Sequence, residues 1–285
     1  MKLLVPATIM AIICGLIGLA FRRVEEKPAG FEADSNDLLN DEYSGLQTWN
    51  VSYEVEGVAC RGYFAAKHHR EEKCPLIIIV PEWWGITNFT KSKARQLASL
   101  GYCAFVADVY GNRKVAADPG EAKNLAEPFY QNPERAIKNI AASRKAAESF
   151  PGADGERTAI IGYCFGGSMA LNFALTGEPV KAVVSFHSGL KIVPPQKEIH
   201  AAVLVCHGDN DIFVPRETVM SFKQQLNHAG VNYQFITYPN ATHSFTNPEA
   251  DEYCRKFAMP IAYNEEADKA SWAQMLSFFE SIFHV

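Results

Sequence analysis

The run Ala159-Ile160-Ile161-Gly162-Tyr163-Cys164-Phe165-Gly166-Gly167-Ser168 constrains this chain more than any other stretch. A short apolar segment enters a Gly-x-Cys-x-Gly-Gly turn and leaves as the helix-like Met169 to Leu175. So sharp a strand-to-helix turn tolerates little bulk, and Gly162 and Gly166 leave room for backbone approach while Gly167 lets the helix pack close. The Cys164 sulfur then stands at a helix N-terminus, where unpaired N–H groups and the positive end of the helix dipole favour thiolate over thiol. The competing reading is a structural cysteine in a glycine-rich turn, since free cysteine is among the most buried residue types.

The flanking patterns supply a frame for such a turn. Trp49 to Val55 and Val58 to Ala66 flank Glu56-Gly57 and alternate apolar with polar residues, which predicts a hairpin at one sheet edge. Leu76 to Val80 is continuously apolar, as a strand buried on both faces requires. Helical spacing over Lys91 to Leu100, Pro119 to Tyr130, Pro133 to Phe150, Thr218 to Ala229 and Glu265 to Phe283 alternates with strands Tyr102 to Val109, Thr158 to Ile161, Ala182 to Phe186, Ala202 to Cys206 and Tyr233 to Tyr238. Strands alternating with helices predict an α/β domain whose mostly parallel central sheet carries helices on both faces.

Ligands of such sheets bind beyond the carboxyl ends of the strands. Four strand ends here carry conspicuous side chains: Glu82-Trp83-Trp84, Cys164, the Asp209/Asp211 pair, and His243. Nucleophile, acid, histidine is the chain order of the α/β-hydrolase fold, whose nucleophile elbow the Cys164 turn resembles with cysteine in place of serine. His243 would take the thiol proton and Asp211 would hold its tautomer. Asp209 competes for the acid role, and Asp211 is preferred because His207-Gly208-Asp209-Asn210-Asp211-Ile212-Phe213-Val214-Pro215 is similar to the run that ends in the acid of many such hydrolases. Backbone N–H groups of Phe165 and Trp83 stand where an oxyanion hole needs them. Core packing is the plainer role for Trp83 and Trp84.

Over roughly Trp49 to Val285 the chain resembles the dienelactone hydrolase family. The resemblance rests on Gly162 to Gly167, Glu82-Trp83-Trp84-Gly85, Ala107-Asp108-Val109-Tyr110-Gly111, the Asp211 run and His243-Ser244-Phe245. It implies opening of small esters or lactones through a cysteine thioester, by a Cys164, Asp211, His243 triad, without metal or organic cofactor. It also implies that Glu82 helps to activate the thiol. Two arginines that hold a substrate carboxylate in such enzymes are replaced here by Asn112 and Asn247, with Arg113 one position along, so dienelactone itself is not the expected substrate. Tyr110, Trp84, Arg113, His187 and Asn247 are the expected pocket residues. A binding protein built on a hydrolase fold is the alternative, because fold alone does not prove activity; a thiol-redox role lacks a resolving cysteine near Cys164.

The ends of the chain read differently. From Leu3 to Phe21 no residue is charged, Lys2 precedes the run, and Arg22-Arg23 follows it. Residues 1–21 are expected to be a signal peptide or membrane anchor, which makes the protein exported, or membrane-tethered through residues 3–21. Residues 22–48, rich in Glu, Asp, Asn, Gly and Pro, predict a flexible linker, and 49–285 the folded domain. A net charge of −5 without any Lys/Arg-rich block argues against nucleic-acid binding. Seven cysteines without C-x-x-C spacing predict neither a disulfide scaffold nor a cysteine metal site. Cys103 and Cys206 are expected as packing residues inside strands, with Cys60, Cys74 and Cys254 free or paired.

Overall fold

The computed structural model describes residues 29–35, 43, 45–67, 72–195 and 197–283. The apolar run 3–21 lies outside them, and among the described residues no helix is long and apolar enough to cross a membrane.

The expected hairpin forms from β2 (Leu46–Val55) and β3 (Val58–Lys67), paired antiparallel from Leu46↔Lys67 to Val55↔Val58. Its two-residue turn has Glu56 at φ 49° and Gly57 at φ 81°, the doubly positive backbone that matches the twist of paired strands. After it the chain alternates as expected. β4 (Cys74–Val80), β5 (Cys103–Val106), β6 (Ala153–Tyr163), β7 (Ala182–Phe186), β8 (Ala202–Gly208) and β9 (Tyr233–Tyr238) run parallel. With β1 (Phe31–Ala33) the described strands order as β1-β2-β3-β5-β4-β6-β7-β8-β9, the first four pairing antiparallel at one edge.

Every residue of β4 is buried, and its alternate side chains serve two apolar layers. Leu76, Ile78 and Val80 join Ile140 of α3 (Pro133–Glu148) and Phe173 of α4 (Phe165–Ala174). Ile77 and Ile79 join Leu97 of α1 (Asn88–Ser99) and Met275 and Phe279 of α7 (Glu265–Phe283). The first layer also takes in α2 (Pro119–Gln131) through Phe129 and α5 (Arg216–His228) through Phe222. Helices thus cover both faces, and the strand ends between them stay free for chemistry.

Three expectations are corrected. The linker assigned to 22–48 contains β1, which pairs with β2 through Phe31↔Val51 to Ala33↔Trp49. Phe31 is 2 % exposed and packs against Phe64 and Phe150 at 5.3 and 5.8 Å between ring centroids, a burial worth about 1.5–3 kcal/mol. One aromatic residue in an acidic tract carries no periodicity, so the domain begins earlier than Trp49. Second, Cys103 is not a simple packing residue. It is bonded to Cys74, because β4 and β5 are neighbours and bring the two Cα atoms to 5.8 Å. Third, the loop after His243 contains a further helix, α6 (Ala250–Phe257). Cys60, Cys164, Cys206 and Cys254 are free.

Candidate active site

The glycines of the elbow are required by contact. A Cβ on Gly162 would lie 2.2 Å from the Gly166 carbonyl oxygen, and one on Gly166 would lie 2.2 Å from that of Val80. The turn they permit leaves Cys164 at φ 53° and ψ −115°, capping the N-terminus of α4. A side-chain-bearing residue held there costs about 1–3 kcal/mol, a strain found where function requires it. Ser185 and Ser188 stand within 2.9 Å of where a Gly167 side chain would begin, so α4 also seats closely on β7.

Three strand ends then bring one hydrogen-bonded row together. His243 Nε2 lies 2.9 Å from Cys164 Sγ, and His243 Nδ1 lies 2.7 Å from Asp211 Oδ2. Asp211 is buried, and its second oxygen accepts the Phe213 N–H at 3.0 Å. Asp209, the competing acid, is exposed. Burial opposes a charge on His243, but the Cys164 sulfur and the Asp211 carboxylate outweigh it and hold the imidazole well above its ordinary value.

Glu82 is 2 % exposed, and its hydrogen bonds go to the segment that carries His243. Its carboxylate accepts the Ser244 hydroxyl at 3.1 Å and the Asn247 amide at 2.7 Å. Burial pushes the carboxyl up to about 7 despite those bonds and the nearby His243. Asn247 is therefore a buried partner of Glu82 and not a lining residue of the pocket as expected.

A cavity of about 240 Å³ opens at Cys164 and His243, lined by Trp83, Tyr130, Phe213 and Met259 among others. Trp83, expected at the oxyanion hole, thus stands at the thiol, while the expected pocket residues stand elsewhere. Tyr110 donates its hydroxyl to the Trp83 carbonyl at 2.9 Å and packs against Phe165, supporting the wall from behind. Trp84 is buried against Tyr253 and Phe257 of α6, with ring centroids 4.6 and 6.0 Å away. Arg113 bonds Asn50 and faces a separate cleft with Lys91 and Asp34. His187 is wholly buried, its Nε2 against Thr246 Oγ1 at 2.8 Å and its ring edge-on to His243, and burial holds it neutral.

Sequence reasoning did not assign Lys123, Ala126, Glu127 or Tyr130 to the cavity. Their spacing, i, i+3, i+4 and i+7, puts them on one face of α2, and all four line the cavity. That face mixes apolar with charged residues, so its pattern alone does not distinguish a core stripe from a pocket wall. Met259 and Phe213 come from loops. Among the described residues no group of three or more His, Cys, Asp or Glu could hold a metal ion.

The parallel sheet, the elbow and the acid–histidine–thiol row at its strand ends define an α/β-hydrolase fold. The dienelactone hydrolase family model matches residues 60–283, and the chain belongs to that family. A solved dienelactone hydrolase-like promiscuous phosphotriesterase from metagenomic libraries superposes with a TM-score of 0.78 at 31 % identity, covering 84 % of this chain and 99 % of that one. The solved structure of m3DLH gives 0.77 at 30 % identity, with the same 84 % and 99 % coverage. A Yersinia pestis protein named "Putative carboxymethylenebutenolidase" is 24 % identical over 246 residues, 82 % of this chain and 88 % of its own.

Proposed function

We propose that the protein cleaves a carboxylic ester or lactone through a thioester on Cys164, with Cys164, His243 and Asp211 as the catalytic triad. The observation that carries this reading is the continuous row from sulfur to imidazole to carboxylate, at 2.9 and 2.7 Å, opening on a cavity. His243 takes the thiol proton, and the sulfur attacks the carbonyl carbon. The oxyanion that forms is held by the backbone N–H groups of Phe165, in the unpaired first turn of α4, and of Trp83. When the C–O bond breaks, His243 gives its proton to the departing oxygen. Water, deprotonated by His243, then attacks the thioester, releasing the acid and restoring the thiol. Glu82 acts at one remove: its two hydrogen bonds hold Ser244 and Asn247, and so the loop that carries His243.

The test is hydrolysis of a panel of aryl esters and lactones by the wild type and by Cys164→Ala. A phosphotriester belongs in the panel because a similar structure is that of a promiscuous phosphotriesterase. Wild-type turnover abolished by the substitution is expected; wild-type rates in Cys164→Ala would defeat the reading.

We further propose that the domain works outside the reducing cytosol, tethered or exported through residues 3–21. The uncharged run and the Cys74–Cys103 bond both support it, since disulfides persist in oxidising compartments. Fractionation with thiol labelling tests this: recovery solely in the cytosol, with both thiols free, would contradict it.

A further inference from the structure

The cavity at the thiol does not end there. A second cavity of about 500 Å³ shares Glu127, Tyr130, Gly189 and Phe213 with it and continues past Met169 to Ile192 and Val193. Tyr130 and Phe213 form the waist between the two. Both keep much of their surface open, at 44 % and 50 % exposure, although each packs edge-on against a residue of the site: Tyr130 on Phe165 at 5.4 Å and Phe213 on His243 at 5.3 Å. Half-exposed aromatic rings over a reactive row make an apolar surface for a ligand to cover.

Gly189 is shared by the two cavities as well, and its surroundings are open. A Cβ built on it would meet only Ser168 Oγ, at 3.7 Å, and its backbone φ is one that other residues adopt. Unlike the elbow glycines, it is not demanded by backbone contact or by conformation. A side chain there would enter the space that both cavities border.

The charges limit the ligand as well. Among the described residues lining the thiol cavity, Lys123 is the sole lysine or arginine, and Glu127 lies one turn along the same face of α2. Arg113 faces elsewhere and Asn247 is committed to Glu82. None of these lining residues offers a bidentate clamp for a carboxylate, whereas the second cavity carries a lysine of its own, Lys191, so the limit applies to the arm at the thiol.

From these observations we infer that the substrate is a two-armed ester, its uncharged acyl arm seated against Trp83, Ala126 and Met259 and its alcohol arm running over Phe213 and past Gly189 into the second cavity. The direction follows from His243, which protonates the departing oxygen and so stands on the alcohol side, where Phe213 packs on its ring. This inference rests on the proposed thioester reaction and gives it a substrate class larger than a single lactone ring.

The experiment uses acetate esters of phenols matched in acidity but rising in size from phenol to a two-ring aryl alcohol, so that chemical reactivity stays constant. For the wild type, kcat/KM should rise about tenfold or more across the series as the second ring fills the further cavity. In Gly189→Leu and, independently, Ile192→Trp, the ratio of large-ester to small-ester kcat/KM should fall by a similar factor. A neutral acyl group should also be preferred over its carboxylate-bearing analogue. A flat wild-type series would overturn the two-armed cleft even if neither variant folds, and so would an unchanged ratio in a folded variant. Equal rates of wild type and Cys164→Ala on every ester would overturn the thioester reading itself, whatever the size preference.

Discussion

Replacing Glu82 by Gln should change the way stability depends on pH, because burial holds this carboxyl up at about 7 against an ordinary 4.5. A carboxyl raised in the folded state takes up a proton at pH values where the unfolded chain has already lost it. The stability this contributes is fully present below about pH 4.5 and is lost as pH rises through about 7. Between pH 5 and pH 8 the loss amounts to about 2.5 kcal/mol, since a tenfold change in proton affinity is worth about 1.36 kcal/mol. Gln is a close copy of the protonated side chain: its amide can donate to Ser244 Oγ while its carbonyl accepts from Asn247, in place of the bonds Glu82 now accepts from both. The Gln variant therefore keeps the shape and loses the titration. Urea unfolding of both proteins at the two pH values isolates the effect, because titrating groups that do not interact with Glu82 cancel in the difference. The wild type should lose about 2.5 kcal/mol relative to Glu82→Gln on going from pH 5 to pH 8. A difference that stays constant with pH would refute the buried, raised carboxyl.

Other perturbations follow from the same geometry. Iodoacetamide at neutral pH should alkylate Cys164 faster than Cys206, whose thiol burial pushes up to about 12, and His243→Ala should slow the labelling of Cys164 by about tenfold or more. Gly166→Ala should fail to fold or lose most of its stability in thermal melts, because its Cβ would meet the Val80 carbonyl oxygen at 2.2 Å and backbone must move. Reduction of Cys74–Cys103, which spans 29 residues, should lower unfolding stability by about 3–4 kcal/mol, read as a drop in the urea midpoint. Asp211→Asn should leave the fold intact and lower kcat steeply, since the imidazole loses the charged acceptor now 2.7 Å from its Nδ1.

The triad candidates were legible because each depends on short-range chemistry: glycines around a sharp turn at Cys164, and strand-end loops at Asp211 and His243. Periodicity likewise gave the alternating elements, since β4, β5 and β7 are buried throughout and contain little but apolar residues. What stayed hidden depends on contacts between distant segments. Phe31 is an ordinary aromatic residue until Phe64 and Phe150 surround it. Cys74 and Cys103 pair because a crossover makes their strands neighbours, a fact of topology that spacing does not carry. Asn247, read by position as a pocket residue, turns inward because the buried Glu82 needs a donor. His187 and Trp84 follow strand ends as functional residues do, yet helix and loop packing covers both. Conversely, Tyr130 and Met259 line the cavity because α2 and the segment after α6 close over the elbow, with Trp84, Ala122, Tyr253 and Phe257 packed between them.

The central claim, that Cys164 carries the acyl group, is tested most directly by trapping it. The protein is mixed with an activated aryl acetate, quenched in acid within the first turnovers, and digested for peptide mass spectrometry. An acetyl thioester is expected on the peptide containing Cys164, absent after hydroxylamine and absent from Cys164→Ala, and more abundant in variants whose deacylation is slowed. An unmodified Cys164 during rapid turnover, with ester hydrolysis retained by Cys164→Ala, would contradict it.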